Sequence, residues 1–257
     1  MPSSITHPRF ERCLDELSSS SDRVWLSALA TGLAFTLIAA YPFAHTSSGV
    51  FWAYAGLLIR GGLYLWAGDA LRGKGGETIA TLFRVGLVAG LLEILVDWAL
   101  IHWVPTGRLV YLTGNDVVLL GSPIWMPLAW ACVILELGYP ALRCYGFLRR
   151  RTSRATAAIT VSVATGLLAG LTVGFYEYFA YRANWWKYEA ARVMLGDFCA
   201  LYIPVGEFFM FLPVIPIAAR VLAHAEPRRA ATLEGGALFA TAIAGGYALA
   251  YWLLEVA

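Results

Sequence analysis

Seven stretches of this chain stay apolar over about twenty residues, and none alternates polar with apolar positions: 24–42, 51–69, 82–104, 117–142, 156–180, 196–222 and 236–255. A bilayer core is crossed by about twenty apolar residues in a helix. It admits only helices or closed barrels, because backbone polar groups must be satisfied within the spanning structure. Without the period-two pattern of a barrel strand, these runs predict helices. Charge points the same way: Asp, Glu, Lys and Arg make up 14% of the chain and mean hydropathy is +0.64. A soluble domain carries about 25% charge, and a disordered chain also needs more than this. The expected fold is all-α, a polytopic transmembrane helix bundle of about seven spans. Residues 1–23 form a polar cytoplasmic N-terminal segment and 24–257 a single transmembrane domain. The polar segment has no apolar signal-peptide core, so the first span reads as an uncleaved anchor.

Lys and Arg set the orientation. Fourteen of the nineteen lie in the N-terminal segment and the second, fourth and sixth connections. The opposite connections hold Arg108, Arg182, Lys187 and Arg192, and Arg60 lies within the second span. The bias places the N-terminus in the cytoplasm and the C-terminus outside. The preference for Arg over Lys, 17 to 2, and the compact chain point to a bacterial plasma membrane. A net charge of +2 leaves no footprint for nucleic acid. Cys13, Cys132, Cys144 and Cys199 show no paired spacing, and the four histidines are scattered. No metal site or cofactor is expected.

The third and fifth spans share a string: Gly86-Leu-Val-Ala-Gly90-Leu matches Gly166-Leu-Leu-Ala-Gly170-Leu at an offset of 80. The same offset sets Asp97 over Glu177 and Trp98 over Tyr178, and brings Pro123 within one residue of Pro204. The match predicts a parallel repeat of helices 3–4 and 5–6 about an axis along the membrane normal. Small residues spaced by four are also what tight helix packing selects.

Ionisable groups inside spans are costly and mark functional sites by default. Glu93 and Asp97 share one face of the third span, with Trp98 adjacent. Glu177 lies on the fifth span, and Asp197 and Glu207 on the sixth. Glu136, nearer the cytoplasm, is read as structural, bridging to Arg143 or Arg84; Asp197 is equally suited to capping the sixth helix. Trp98, Trp103, Trp185 and Trp186 also fit an interfacial aromatic belt. Gly121–Pro127 and Tyr202–Glu207 read as breaks in helices at similar depth. Together these features predict an outward-opening cavity with a polar floor and aromatic walls. Carboxyl groups held away from water favour their neutral form and can act as acids. Aromatic faces stabilise cations. Protonation of an alkene suits such a site. No DDxxD, Walker A or GxSxG motif points to another chemistry.

Trp186-Lys-Tyr188, then Tyr202-Ile-Pro204-Val-Gly206-Glu207-Phe-Phe-Met-Phe, resembles the W-x-Y … P-x-E-E signature of the small integral membrane lycopene cyclases. Asp97-Trp98, Thr106-Gly-Arg-Leu-Val-Tyr111 and Gly121-Ser-Pro123-Ile-Trp125-Met-Pro127-Leu-Ala-Trp130 resemble the G-x-Y … P … P-x-x-W pattern of bisanhydrobacterioruberin-type hydratases. Fungal meroterpenoid membrane terpene cyclases have a comparable seven-helix, carboxylate-dependent plan. The resemblance covers roughly residues 86–215. It departs at Gly206, which stands where the first of two adjacent acids is expected; hydration, isomerisation and binding stay open beside cyclisation. It implies an enzyme acting on a lipid-soluble polyene or isoprenoid. Glu207 is the leading proton donor, Asp97 and Glu93 the partner acid or base, and Trp186 and Tyr188 cation stabilisers. Trp98, Trp125, Glu177 and Tyr202 complete the expected substrate-binding set. A small-molecule transporter and a non-catalytic lipid- or pigment-binding subunit are the alternatives.

Overall fold

A computed structural model of the chain describes residues 4–114, 116–224 and 228–257, without the side chain of Arg228. Residues 1–3 of the polar N-terminal segment lie outside it. Among the described residues the helices are α1 (Pro8–Asp15), α2 (Ser19–Ala40), α3 (Gly49–Ala70), α4 (Gly76–His102), α5 (Met126–Leu148), α6 (Arg154–Arg182), α7 (Tyr202–Phe211), α8 (Val214–Ala223) and α9 (Arg228–Tyr251), the last ending in a π turn. Six of them, α2 to α6 and α9, are long and apolar enough to cross a membrane. The pair α7–α8, bent by 41° where Pro213 interrupts it, is long and apolar enough when taken together to count as a seventh. The chain is an all-α polytopic helix bundle.

Two predicted spans start too early. Residues 117–125 and 196–201 are as apolar as a span, yet they fold into short hairpins: β2 (Val118–Leu119) with β3 (Ser122–Pro123), and β5 (Met194–Leu195) with β6 (Cys199–Ala200). Gly121 and Gly196, at φ 90° and 58°, reverse the chain where other residues would be strained. The predicted helix breaks at 121–127 and 202–207 are therefore helix starts. Pro127 and Pro204 occupy the first turns of α5 and α7, where a missing N–H forfeits no helical bond. Asp197 sits exposed in the β5–β6 turn and caps no helix.

The polar N-terminal segment also gains structure. It forms α1, which buries Phe10 and Leu14, and α2 already begins at Ser19 behind a Ser18–Ser21 capping box. Glu11 pairs with Arg149 and Arg154, and Asp15 with Arg149 and Arg150, fastening α1 to the α5–α6 connection.

Two units of the same plan make up the centre: α4–β1–hairpin–α5 and α6–β4–hairpin–α7. In the first, a Cβ at Gly86 would press on Ala131 and one at Gly90 on Pro127; in the second, Gly166 meets Phe208 and Gly170 meets Pro204. These contacts align Pro127, not Pro123, with Pro204. Strands β1 (Arg108–Tyr111) and β4 (Trp186–Glu189) pair antiparallel, Tyr111 opposite Trp186. The register, with Arg108 opposite Glu189 at the other end, joins equivalent strands of the two units. Helix α9 closes the bundle, with Gly235 and Gly236 against Val85 and Val88 of α4 and Gly246 against α7.

Glu136 finds its partner on α3. Arg60 bridges to it at 2.8 Å and the Tyr64 hydroxyl donates to the same oxygen at 2.8 Å. Arg143 instead pairs with Asp22, and Arg84 is exposed. Gly32 leaves the room that the Arg60 guanidinium occupies.

Two outcomes follow for stability in detergent. Gly90→Val or Gly170→Val should cost about 1–3 kcal/mol by overpacking. Gly174→Ala, with open space around it, should leave the melting temperature unchanged or raise it. Arg60→Met should cost about 3–5 kcal/mol by stranding Glu136, and Arg60→Met/Glu136→Leu should recover most of that loss. Thermal unfolding of the five variants checks both.

Candidate functional site

The hairpin end of the bundle holds a partly open cavity of about 70 Å³ lined by four carboxyl groups: Glu93 and Asp97 from α4, Glu177 from α6 and Glu207 from α7. All four are buried. Their partners differ. Asp97 accepts hydrogen bonds through one oxygen from the Tyr111 hydroxyl and, at 2.6 Å, from Ser122. Glu177 accepts from the Trp186 indole at 2.5 Å. Glu207 accepts from the Tyr247 hydroxyl of α9 at 2.9 Å, while its Oε2 is buried with no partner among the described residues. Glu93 lies one turn below Asp97 with its own Oε2 in the same condition. Asp97 and Glu177 are thus each held through one oxygen by donors from the hairpin layer, while Glu93 and Glu207 each keep a buried oxygen with no partner among the described residues.

The donors come largely from the layer above the helices. Tyr111 ends β1 and Trp186 begins β4, so the β1–β4 pairing sets both rings side by side, their centroids 6.1 Å apart. Burial pushes the Tyr111 phenol well above its ordinary value, and the Asp97 and Glu93 carboxyl groups push it further. The group stays a donor to Asp97. Burial acts the same way on Tyr188, reinforced by Glu177. The rest of the wall is aromatic and aliphatic, including Trp130, Tyr176 and Met126. Within the lining, Ala129 and Val133 of α5, Val173 and Tyr176 of α6, and Tyr111 of β1 are only half-buried.

Of the nine predicted site residues, six line this cavity: Glu93, Asp97, Glu177, Trp186, Tyr188 and Glu207. The other three need correcting. Trp98 follows Asp97 on α4, and one residue turns a helix by about 100°; its ring leaves the cavity and packs on Trp103 at 4.5 Å. Trp125 stands behind the wall, stacked on Trp186 at 6.0 Å with its indole donating to Asp116 at 2.7 Å. Tyr202 is fully buried and donates to the Gly107 carbonyl at 2.7 Å, which holds the β1 approach rather than a ligand. Sequence reading missed Tyr176 and Tyr247, and left Tyr111, Ser122 and Trp130 as parts of a motif. Tyr111 and Ser122 were findable as hydroxyls within a few residues of glycine turns; Tyr247 sits in an ordinary apolar helix.

The family described as "Domain of unknown function (DUF6989)" matches residues 94–254, more than half of the chain. The chain belongs to that family. The family match spans both hairpins and α5 to α9, and includes Asp97, Glu177, Glu207 and Tyr247; it begins one residue after Glu93. No curated protein and no solved structure matches the chain.

Because Tyr202 lies behind the wall, Tyr202→Phe should cost about 0.5–1.5 kcal/mol of stability without altering what the cavity binds. Melting temperature together with a binding or turnover measurement checks the pair of outcomes.

Proposed function

We propose that the chain is an integral membrane enzyme of isoprenoid or carotenoid metabolism that protonates a carbon–carbon double bond with a buried carboxylic acid, leading to cyclisation or hydration. The observation that carries this reading is the pairing of unpartnered Glu207 and Glu93 oxygens with aromatic walls in one small cavity. Glu207 gives its proton to the terminal alkene, and a tertiary carbocation forms. The faces of Trp186, Tyr188, Trp130 and Tyr176 stabilise that charge. In cyclisation a neighbouring double bond attacks the cation, a carbon–carbon bond forms, and a carboxylate takes up the proton released. In hydration a water oxygen attacks instead and loses a proton to a carboxylate, with Glu93 or Asp97 as the base. In cyclisation the Glu207 carboxylate can take that proton directly; in hydration the proton taken by Glu93 or Asp97 passes back to Glu207 before the next turnover, which restores both groups.

The cavity size bears on the substrate. At about 70 Å³ it is smaller than an apolar cavity of ~150 Å³ that holds benzene. It takes the branched terminal group that is protonated, and the rest of a polyene, including the carbons through which a ring would close, lies toward the half-buried α5 and α6 residues of the lining. The charge bias of the connections makes the hairpin face the outer one in a bacterial plasma membrane. The resemblance to the small lycopene cyclases and bisanhydrobacterioruberin hydratases supports the same reading. The two-unit plan and the bent α7–α8 pair would also serve a carrier; flux of an unchanged solute into liposomes would favour that alternative.

Membranes of cells that make an acyclic polyene such as lycopene should convert it to an isomer or a hydrate when they contain this protein. Glu207→Gln and Asp97→Asn should each lower the rate by about 10²–10⁴-fold while the protein still inserts. Chromatography and mass spectrometry of the extracted pigments read the result; undiminished conversion by both variants would remove the acids from the mechanism.

A further inference from the structure

We infer that Tyr247 is a positioning residue for Glu207, fixing which carboxyl oxygen carries the proton, and that Gly206 is what lets it do so. The inference rests on the proposed role of Glu207 as an acid. Tyr247 is nearly fully buried on α9, and its hydroxyl donates to Oε1 of Glu207 at 2.9 Å. A phenol that donates needs an acceptor. In the acid form of Glu207, Oε1 is therefore the carbonyl oxygen and the proton rests on Oε2. That oxygen has no partner among the described residues, and Glu207 lines the cavity together with Tyr247. Without the phenol, the proton has no reason to prefer one oxygen over the other. The other carboxyl groups that face the phenol are Glu93 and Glu177.

The backbone explains how a residue on α9 reaches this point. A Cβ on Gly206 would overlap the Tyr247 ring, and one on Gly246 would come within 2.7 Å of the Gly206 carbonyl oxygen and 3.1 Å of the Met210 nitrogen. Two glycines, each facing the other helix, bring α7 and α9 together backbone to backbone. Gly206 is also the position at which the chain departs from the paired-acid signature. A second acid there would displace the ring that Glu207 uses; here the neighbouring polar group comes from another helix.

Infrared spectroscopy of the purified protein in lipid tests this without turnover. The carboxylic C=O stretch of Glu207, identified as the band lost in Glu207→Gln, should move to higher wavenumber in Tyr247→Phe, where its hydrogen bond is gone. Gly206→Ala, which displaces the ring, should move the same band in the same direction. If Tyr247→Phe does not fold, Gly206→Ala alone decides. A band that stays in place, or the absence of any band lost in Glu207→Gln, overturns the inference. Polyene conversion is a separate readout: conversion with an unmoved band defeats only this inference, and a moved band without conversion defeats only the proposed reaction. Where conversion is measured, Tyr247→Phe should lower kcat by about tenfold with KM unchanged.

Discussion

Every polar atom carried into an apolar bundle must find its partner inside the protein, and most of this structure follows from that requirement. Near the N-terminal end, Glu136 is met by Arg60 and Tyr64 from α3, and Gly32 clears the space for the guanidinium. At the hairpin end the need is greater, because four carboxyl groups share one cavity. Among the described residues no Lys or Arg lines it. The partners are neutral donors instead: Tyr111, Ser122, Trp186 and Tyr247. These donors leave Oε2 of Glu93 and Oε2 of Glu207 buried without a partner among the described residues, which stabilises nothing.

The two units share a scaffold but not a chemistry. Glycines at equivalent places let α4 approach α5 and α6 approach α7, and the strands β1 and β4 join the units across their boundary. Asp97 and Glu177 occupy equivalent places, and each is held by donors from the hairpin layer. The remaining acids break the symmetry. In the register that aligns Pro127 with Pro204, Trp130 corresponds to Glu207, so one unit presents an indole where the other presents an acid. Glu93 has Val173 as its counterpart, with both on the cavity wall. The asymmetry gives the cavity one carboxyl group with an unpartnered oxygen on α4 and one on α7.

Most of the helices were legible in the sequence because twenty apolar residues without alternation have few other folds in lipid. The two errors at 117–125 and 196–201 share a cause: composition reports how apolar a segment is, not whether it runs as helix. Gly121 and Gly196 carried the turn signal, but the prolines beside them read as breaks within longer helices. The acids were legible as well, since their residue type is itself anomalous in a span. Their surroundings were less so. Adjacent residues on a helix diverge, which separates Trp98 from Asp97, and the motif around Tyr202 does not disclose that its hydroxyl donates to the Gly107 carbonyl. Tyr247 lies forty residues from Glu207 on a helix of ordinary composition, and only the approach of α7 and α9 reveals it.

The central claim is that the protein moves a proton from a buried acid to carbon, and solvent isotope labelling tests it most directly. Buried carboxylic protons exchange with bulk water between turnovers. Conversion of an acyclic polyene in heavy water should therefore place one solvent-derived deuterium on the carbon that is protonated, visible as added mass in the product. A product formed in heavy water with no deuterium on carbon would contradict the account.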